Sequence, residues 1–178
     1  NLDPKVQLSI VSQFEKKPNF IMLDTMDFWM DNSFDKLTEI ISKIDLICIN
    51  EEEVIQLSGC DNYHLGIKKI FSMGPKYIIM KKGEFGATLY SGESNFFCPT
   101  FKIKKVIDPT GAGDSFAGAF ACYLADSKNY TFSSLSDALI YANSVASFCV
   151  EKFGVENMLD ISKEEIVNRI NFIKKHNN

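Results

Sequence analysis

Short runs of consecutive apolar residues alternate with amphipathic stretches in the first half of the chain. The runs Phe20–Leu23, Leu46–Ile49 and Tyr77–Met80 show no polar alternation, which is typical of strands buried on both faces of a sheet. Strands separated by helices predict an α/β fold with a parallel sheet. The predicted helices are Val6–Lys16, Phe34–Ile44 with Ser33 as its N-cap, a helix that begins at Glu51, and Leu65–Met73.

The second half of the chain changes from this pattern to hairpins and then to helices. Gly83–Gly86 is predicted to turn the chain from the third strand into Ala87–Tyr90 as a hairpin partner. Further strands are predicted at Phe96–Phe97 and Phe101–Ile107. The central sheet is therefore expected to be mostly parallel with antiparallel edge strands. The predicted helices that close the chain are Ser115–Leu124, Leu135–Lys152 and Ser162–Lys174.

Composition excludes several classes of protein. The chain has 178 residues, 46% of them hydrophobic, which is enough for a substantial core. Its formal net charge is −4, and because lysine and arginine are scattered, no basic patch indicates nucleic-acid binding. No apolar run reaches the ~18 residues of a membrane span, so no membrane partner is expected. Five cysteines without a C-x-x-C motif are typical of reduced, structural thiols in a cytoplasmic protein.

The segment Asp108–Asp114, here called the glycine loop, is the strongest chemical signal. Gly111 and Gly113 allow positive φ and a close approach of backbone N–H groups to a ligand. The apolar helix that follows adds free N–H donors and the positive end of its dipole, which suits a phosphate. Asp114 would repel that anion unless it accepts a proton from a nucleophile that attacks the phosphoryl group. The loop therefore indicates phosphotransferase chemistry with Asp114 as general base.

Two other glycine-rich motifs do not fit the chain. A P-loop requires G-x-x-x-x-G-K-[ST], and the sequence contains neither Gly-Lys-Ser nor Gly-Lys-Thr. A dinucleotide-binding fingerprint requires a third glycine where Phe116 stands. An NAD-linked oxidoreductase is therefore disfavoured, and binding of a nicotinamide cofactor in place of ATP would be its sign.

The residues Asp108–Phe120, DPTGAGDSFAGAF, resemble the second signature of the ribokinase-like (PfkB) carbohydrate and nucleoside kinases. The resemblance implies a three-layer αβα ribokinase-like fold. It covers only the C-terminal, nucleotide-binding portion of such a domain, so residues 1–178 are expected to lack the N-terminal strands and the lid. Relatives of this family often form a homodimer through that lid.

The same resemblance assigns roles within the glycine loop. Asp114 is the implied general base, and the amides of Gly111, Ala112 and Gly113 are the implied anion hole. A first-turn helix acid and an ordinary strand-to-helix turn are the structural alternatives.

Asp108 and Thr110 have a less defined implied role. Carbonyl groups near Asp108 help to bind a potassium-type cation (K⁺) in the family, and Thr110 would border the nucleotide. Pro109 follows Asp108 here, where many relatives have threonine, which leaves the dependence on K⁺ open.

One acid and one amide mark the ends of predicted strands outside the loop. Asp24 and Asn50 each follow an apolar run, and the carboxyl ends of parallel strands are where ligands gather. Asn50 and Glu53 resemble the family's N-x-x-E element, which organises Mg²⁺ and phosphate largely through water. The same residues also fit a helix N-cap.

Further nucleotide contacts follow from the resemblance. The turn from Met80 to Gly86 is similar to the family's K-x-G-x-x-G element, which implies a backbone contact from Gly83 with Lys81 or Lys82 nearby. Asn143 matches a helical position that borders adenine. A plain hairpin and a buried helix asparagine are the alternatives. Trp29 is interpreted as packing rather than as a ligand contact.

The sequence thus predicts an ATP-dependent kinase that transfers a phosphoryl group from Mg-ATP to a hydroxyl of a sugar or nucleoside. ATP and Mg²⁺ are the expected cofactors. The alternative is a non-catalytic nucleotide-binding fragment or regulatory relative. Mg-ATP binding without acceptor-dependent ADP release would distinguish that alternative.

Overall fold

The computed structural model describes residues 2–176, in which the chain forms strands and helices in alternation. The strands are β1 (Met22–Asp24), β2 (Leu46–Asn50), β3 (Tyr77–Lys81), β4 (Ala87–Tyr90) and β5 (Asn95–Cys98). The α-helices are α1 (Pro4–Ser12), α2 (Asp27–Asn32), α3 (Phe34–Ile41), α4 (Glu51–Ser58), α5 (Tyr63–Ser72), α6 (Ala112–Ser127), α7 (Phe132–Cys149) and α8 (Lys163–His176). Single 3₁₀ turns cover Gly83–Phe85 and Glu156–Met158.

The strands form a sheet in the order β1-β2-β3-β4-β5. β1 and β2 are parallel, with Leu23 opposite Ile47, and β2 and β3 are parallel, with Asn50 opposite Lys81. Residues 82–86 and 91–94 form the next two connections. Connections of this length are too short for a parallel crossover, so β4 and β5 reverse direction. The predicted mixed α/β sheet is confirmed.

The chain divides into two compact units, which are described separately. One unit comprises the chain up to Lys81 with Tyr90–Asn95, and the other comprises Lys82–Leu89 with the chain from Phe96 onward. The expectation that all residues belong to one domain stays a prediction.

The core of the first unit lies around β2. Leu46–Ile49 is fully buried, as the absence of polar alternation predicted. The apolar face of α3 covers the sheet, and α4 and α5 contribute further buried residues. Each such aliphatic side chain contributes about 1.5–3 kcal/mol when it leaves water, which makes this cluster the main source of stability in the unit. The buried members of the three helices are Leu37, Ile40, Ile41, Val54, Leu57, Ile67 and Ile70.

The second unit is built mainly from helices α6, α7 and α8. Phe116 and Phe120 stack within α6 with ring centroids 6.4 Å apart, and both side chains are buried. Helix α7 is buried along most of its length, and Ile173 anchors α8. Phe116 therefore occupies a packing position where the dinucleotide fingerprint would have glycine.

One predicted strand is wrong. Residues Phe101–Ile107 form no strand in the structure but an extended segment. Phe101 and Ile103 are half-buried and alternate with the exposed Lys102 and Lys104, so only one side of the start of this segment is covered. The Phe101 ring lies 5.0 Å from that of Phe172 in α8.

Several helix boundaries also differ from the prediction. Helix α6 begins three residues before Ser115, because Gly111 adopts a left-handed φ of 80° and serves as its N-cap. Helix α3 ends at Ile41, and the Ser33 side chain makes no capping hydrogen bond.

No helix within residues 2–176 is both long and apolar enough to cross a membrane. Among the cysteines, Cys48, Cys98 and Cys149 are buried and Cys122 is exposed.

Candidate functional site

Polar residues of the first unit gather at the carboxyl ends of three parallel strands. Asp24, Asn50 and Lys81 are the last residues of β1, β2 and β3, and Asn50 is in register with Lys81. The Lys81 amine lies 2.9 Å from the Asp24 carboxylate, and the two side chains are only 22% and 29% exposed. The convergence expected for Asp24 and Asn50 is thus present, and Lys81 joins them.

Lys81 stays charged in this partly buried position. Burial lowers the pKa of its amine, but the neighbouring Cys48, Asp24 and Glu53 raise that pKa more, so it lies above the ordinary value. A lysine held in a partly buried ion pair is better prepared to bind a ligand than an exposed lysine. Its side chain is already ordered, so it loses less conformational freedom on binding.

Asn50 and Glu53 form a capping box at the start of α4. The Glu53 amide donates to Asn50 Oδ1 at 2.8 Å, and the Asn50 amide donates to Glu53 Oε2 at 2.8 Å. The helix-cap alternative is therefore realised. One carboxylate oxygen of Glu53 is committed to the cap, and the box fixes the side-chain direction.

Burial raises the pKa of the Glu53 carboxyl, although the hydrogen bond from the Asn50 amide and the nearby Lys81 lower it. An acid whose pKa is higher in the folded protein binds its proton more tightly there. Its contribution favours folding at pH below the ordinary value of 4.5 and is lost as the pH rises.

We expect Glu53→Gln to gain stability relative to the wild type as the pH rises above 4.5. Glutamine can accept the hydrogen bond from the Asn50 amide, but it carries no buried charge. Thermal unfolding at a series of pH values measures the difference. Glu52→Gln, at an exposed position of the same helix turn, is the control and should show no such trend. A difference in melting temperature between Glu53→Gln and the wild type that does not change with pH would contradict the expectation.

The glycine loop of the second unit leads directly into α6. Gly111 has φ 80° and ψ 0° and no side chain caps the helix. The Ala112 amide donates to Pro109 O at 3.2 Å, and the Ser115 amide donates to Gly111 O at 2.8 Å. The amides of Gly113 and Asp114 have no acceptor among the described residues of this unit. Two donors at the positive end of a helix are therefore free to bind an anion.

Asp114 lies in the first turn of α6 and is exposed. Its carboxylate has no hydrogen bond or ion pair within the described part of the unit. Because the Asp114 carboxylate takes part in none of these structural contacts, it is available to accept a proton from a ligand.

Asp108 ties the loop to the turn after α7. Its Oδ1 accepts from the Thr110 amide at 3.0 Å and its Oδ2 from the Gly154 amide at 3.2 Å. These bonds, with that from Thr110 first, lower the pKa of the Asp108 carboxyl. Beneath the loop, Cys149 Sγ lies 3.5 Å from Thr110 O and 3.9 Å from Gly154 O.

The other predicted nucleotide contacts have different surroundings. Gly83 has φ 55° and is exposed, and the Lys82 amine lies 6.0 Å from the centroid of the Phe97 ring. Asn143 is only 6% exposed, and its Nδ2 donates to Cys98 O at 3.1 Å. Asn143 thus holds the end of β5, and its contact with adenine stays a prediction.

Three features were missed by sequence reasoning: the Asp24–Lys81 pair, the Cys149 contact with the loop, and Arg169 of α8. Each joins residues far apart in the chain. Trp29 packs against the apolar core and against Phe28, with ring centroids 4.8 Å apart, in keeping with its interpretation as packing. Within residues 2–176, no three His, Cys, Asp or Glu side chains form a group that could hold a metal ion directly.

Comparison with known proteins places this geometry in a family. The sequence profile of the "pfkB family carbohydrate kinase" matches residues 8–162. The chain is 34% identical over 88 residues to a cytidine kinase from Thermococcus kodakarensis, a match that covers 48% of this chain and 31% of that protein.

Two solved structures resemble the chain. The nucleoside kinase of Methanocaldococcus jannaschii matches with a TM-score of 0.76 and 26% identity, over 96% of this chain and 54% of that one. The fructokinase of Vibrio cholerae O395, solved with fructose, ADP and calcium ion bound, has a TM-score of 0.81 and 19% identity, over 93% and 55%.

These matches confirm the expected ribokinase-like fold. The chain spans about a third of the cytidine kinase and about half of each solved kinase. Because the family profile covers most of its residues, the chain belongs to the pfkB family of carbohydrate kinases.

Proposed function

We propose that this chain carries the nucleotide site of an ATP-dependent kinase that phosphorylates a hydroxyl of a sugar or nucleoside. The observation that supports it best is the start of α6, where the amides of Gly113 and Asp114 lack acceptors in their unit and the Asp114 carboxylate is exposed. This combination offers donors for a phosphoryl group and a base for its attacker within one helical turn.

Asp114 is proposed as the general base. It would take the proton of the acceptor hydroxyl as that oxygen attacks the γ-phosphorus. The amides of Gly111, Ala112 and Gly113 would stabilise the negative charge on the transferred phosphoryl oxygens, with the Asp114 amide as a further donor. Since Ala112 already donates within the loop, Gly111 and Gly113 are the freer donors of the three.

Asn50 and Glu53 are proposed to organise Mg²⁺ through its bound water. The described residues offer no direct metal cage, and the capping box commits only one Glu53 oxygen, so the residues fit a hydrated ion. When bound, Mg²⁺ would supply positive charge that neutralises part of the charge of the phosphates.

The remaining nucleotide contacts are proposed from the family resemblance. Lys82 and the Gly83 backbone would border the phosphates and ribose, Thr110 would line the loop, and Asn143 would support the base site from within. The carbonyl groups of Thr110 and Gly154, beside Asp108, suit a monovalent cation such as K⁺.

The acceptor is proposed to be a sugar or a nucleoside. The relatives above include a cytidine kinase, a nucleoside kinase and a fructokinase. Location in the cytoplasm, predicted from the cysteines, and dimerisation of the whole protein, predicted from the resemblance, stay predictions.

The test is a thermal-shift titration of the chain with ADP and ATP, each with and without Mg²⁺. We expect the melting temperature to rise by about 5–10 °C at a hundredfold excess of nucleotide over Kd. Adenosine, which has no phosphate, is the matched ligand control and should give a much smaller shift. A cooperatively melting chain with equal shifts for adenosine and ADP would refute the phosphate site.

The same sample separates the enzyme from the non-catalytic alternative. Acceptor-dependent ADP release in a screen of free sugars and nucleosides would support a kinase. Nucleotide binding without turnover for any acceptor would favour a binding module.

A further inference from the structure

Arg169 is the sole arginine of the sequence, and it lies on α8, outside the residues that match the family profile. Its side chain is only 12% exposed. A guanidinium group in that position needs partners for its charge and its N–H donors, since it cannot lose its proton.

Those partners all come from the end of α7 and the segment before the glycine loop. Nη1 donates to Ser147 Oγ at 2.6 Å and Nη2 to Glu151 Oε2 at 2.5 Å. The guanidinium carbon lies 3.4 Å from the centroid of the Phe148 ring and 4.5 Å from that of Phe101. Two charge-assisted hydrogen bonds and two aromatic faces fix both the position and the plane of the group.

Along the chain after Ser147, residues that contact Arg169 alternate with residues that contact the glycine loop or the residue before it. Val150 O accepts from the Ile107 amide at 2.8 Å, and Cys149 Sγ contacts Thr110 O. Four residues after Val150, the Gly154 amide donates to the Asp108 carboxylate. Residues 147–154, here called the α7 turn, therefore contact Arg169 on one side and the base of the loop on the other.

We propose that Arg169 is a positioning residue for the glycine loop, acting through the α7 turn. The proposal rests on the phosphate-binding function proposed above. Loss of the guanidinium would leave the Glu151 carboxylate without its ion-pair partner, with only the Asn157 Nδ2 donor 3.4 Å away, and the Phe148 and Phe101 rings without the cation that lies over each of them. The α7 turn would then move more freely, and with it the carbonyl and amide groups that orient the loop donors.

Lys174 provides a matched control on the same helix. Its amine lies 3.1 Å from the Asp137 carboxylate, so this pair also joins α8 to α7. Both side chains are about half exposed, and neither forms a hydrogen bond or an ion pair with the described residues 147–154. A general weakening of the α7–α8 packing would affect both pairs, whereas a positioning role belongs to Arg169 alone.

Alkylation of Cys149, resolved by mass spectrometry, tests the mechanical step without any nucleotide. In Arg169→Met we expect labelling of Cys149 to be about 3- to 30-fold faster than in the wild type, because the turn that buries the thiol opens more often. Cys48, buried in the other unit, is the internal control and should keep its rate. Arg169→Lys keeps the charge but not the planar group, so its labelling rate should lie between those of the wild type and Arg169→Met. This variant also provides the test if Arg169→Met does not fold.

Kd for ADP with Mg²⁺, measured well below the melting temperature, tests the link to the loop. We expect an increase of about 3- to 30-fold for Arg169→Met, less for Arg169→Lys, and no change for Lys174→Met. Unchanged Cys149 labelling in a folded Arg169 variant, or equal effects from Lys174→Met, would overturn the proposal. Failure of the wild-type chain to bind ADP would instead refute the phosphate site, while the labelling result still decides whether Arg169 holds the α7 turn.

Discussion

Replacing Asp114 by asparagine should reduce acceptor-dependent ADP release by about 10²–10⁴-fold. Asparagine has nearly the same shape and keeps the free amide at the start of α6, but its side chain cannot accept a proton at neutral pH. The carboxylate makes no structural contact within the described part of its unit, so the fold should be unaffected. Steady-state assays with a responsive acceptor, alongside thermal unfolding, measure both quantities.

Nucleotide binding distinguishes a lost base from a damaged site. Without the negative charge of Asp114, the anion repulsion at the helix start falls, so Kd for ADP should stay constant or decrease. Asp126→Asn places the same substitution at an exposed position in the last turn of the same helix and should leave turnover unchanged. Turnover that survives in Asp114→Asn would remove Asp114 from the mechanism.

The parts of the fold that depend on short stretches of sequence could be predicted. Uninterrupted apolar runs located β1, β2 and β3 within two residues, because a doubly covered strand needs apolar residues on both faces. Asn50 was recognised as a cap because its side chain and Glu53 are separated by one helical turn. The loop geometry at Gly111 likewise follows from local backbone freedom.

The segment Phe101–Ile107 shows where local patterns mislead. A strand is predicted there, but the alternation of half-buried and exposed residues at its start indicates only that one side of an extended chain is covered. Here Phe101 packs on Phe172 and Arg169 of α8, not on a sheet neighbour. A strand also needs a neighbouring strand as its hydrogen-bonding partner. The sequence of the segment itself does not show whether such a neighbour is present.

Long-range contacts explain the other features that were missed. Asp24 and Lys81 are separated by 57 positions, and Cys149 and Thr110 by 39. Nothing in either local sequence indicates the partner. Arg169 could be noticed because it is the single arginine of the sequence. Its position in the predicted helix Ser162–Lys174 does not indicate which residues it contacts.

We expect Gly86→Ala to lower the free energy of unfolding by about 3–5 kcal/mol. Gly86 is buried and has a φ of 113°, a backbone conformation that residues other than glycine rarely adopt. A Cβ atom there would lie 2.1 Å from Cys98 O and 2.8 Å from Pro99 Cα. Both are backbone atoms of the same unit, so relief requires β5 to move, which would also disturb the bond from Asn143 to Cys98 O. Urea denaturation measures the loss.

Gly83 is the matched control three residues earlier in the same turn. It also has a positive φ, 55°, but a Cβ atom there would meet nothing within 4 Å. Gly83→Ala should therefore cost only about 1–2 kcal/mol, the conformational penalty of a left-handed residue. If the Gly83 backbone contacts nucleotide as proposed, Gly83→Ala should weaken ADP binding in a protein that remains stable. The two glycines of the K-x-G-x-x-G element would then have separate roles, one in ligand contact and one in packing. Equal stability losses in both variants would show that backbone conformation, not the close approach to β5, determines the cost at Gly86.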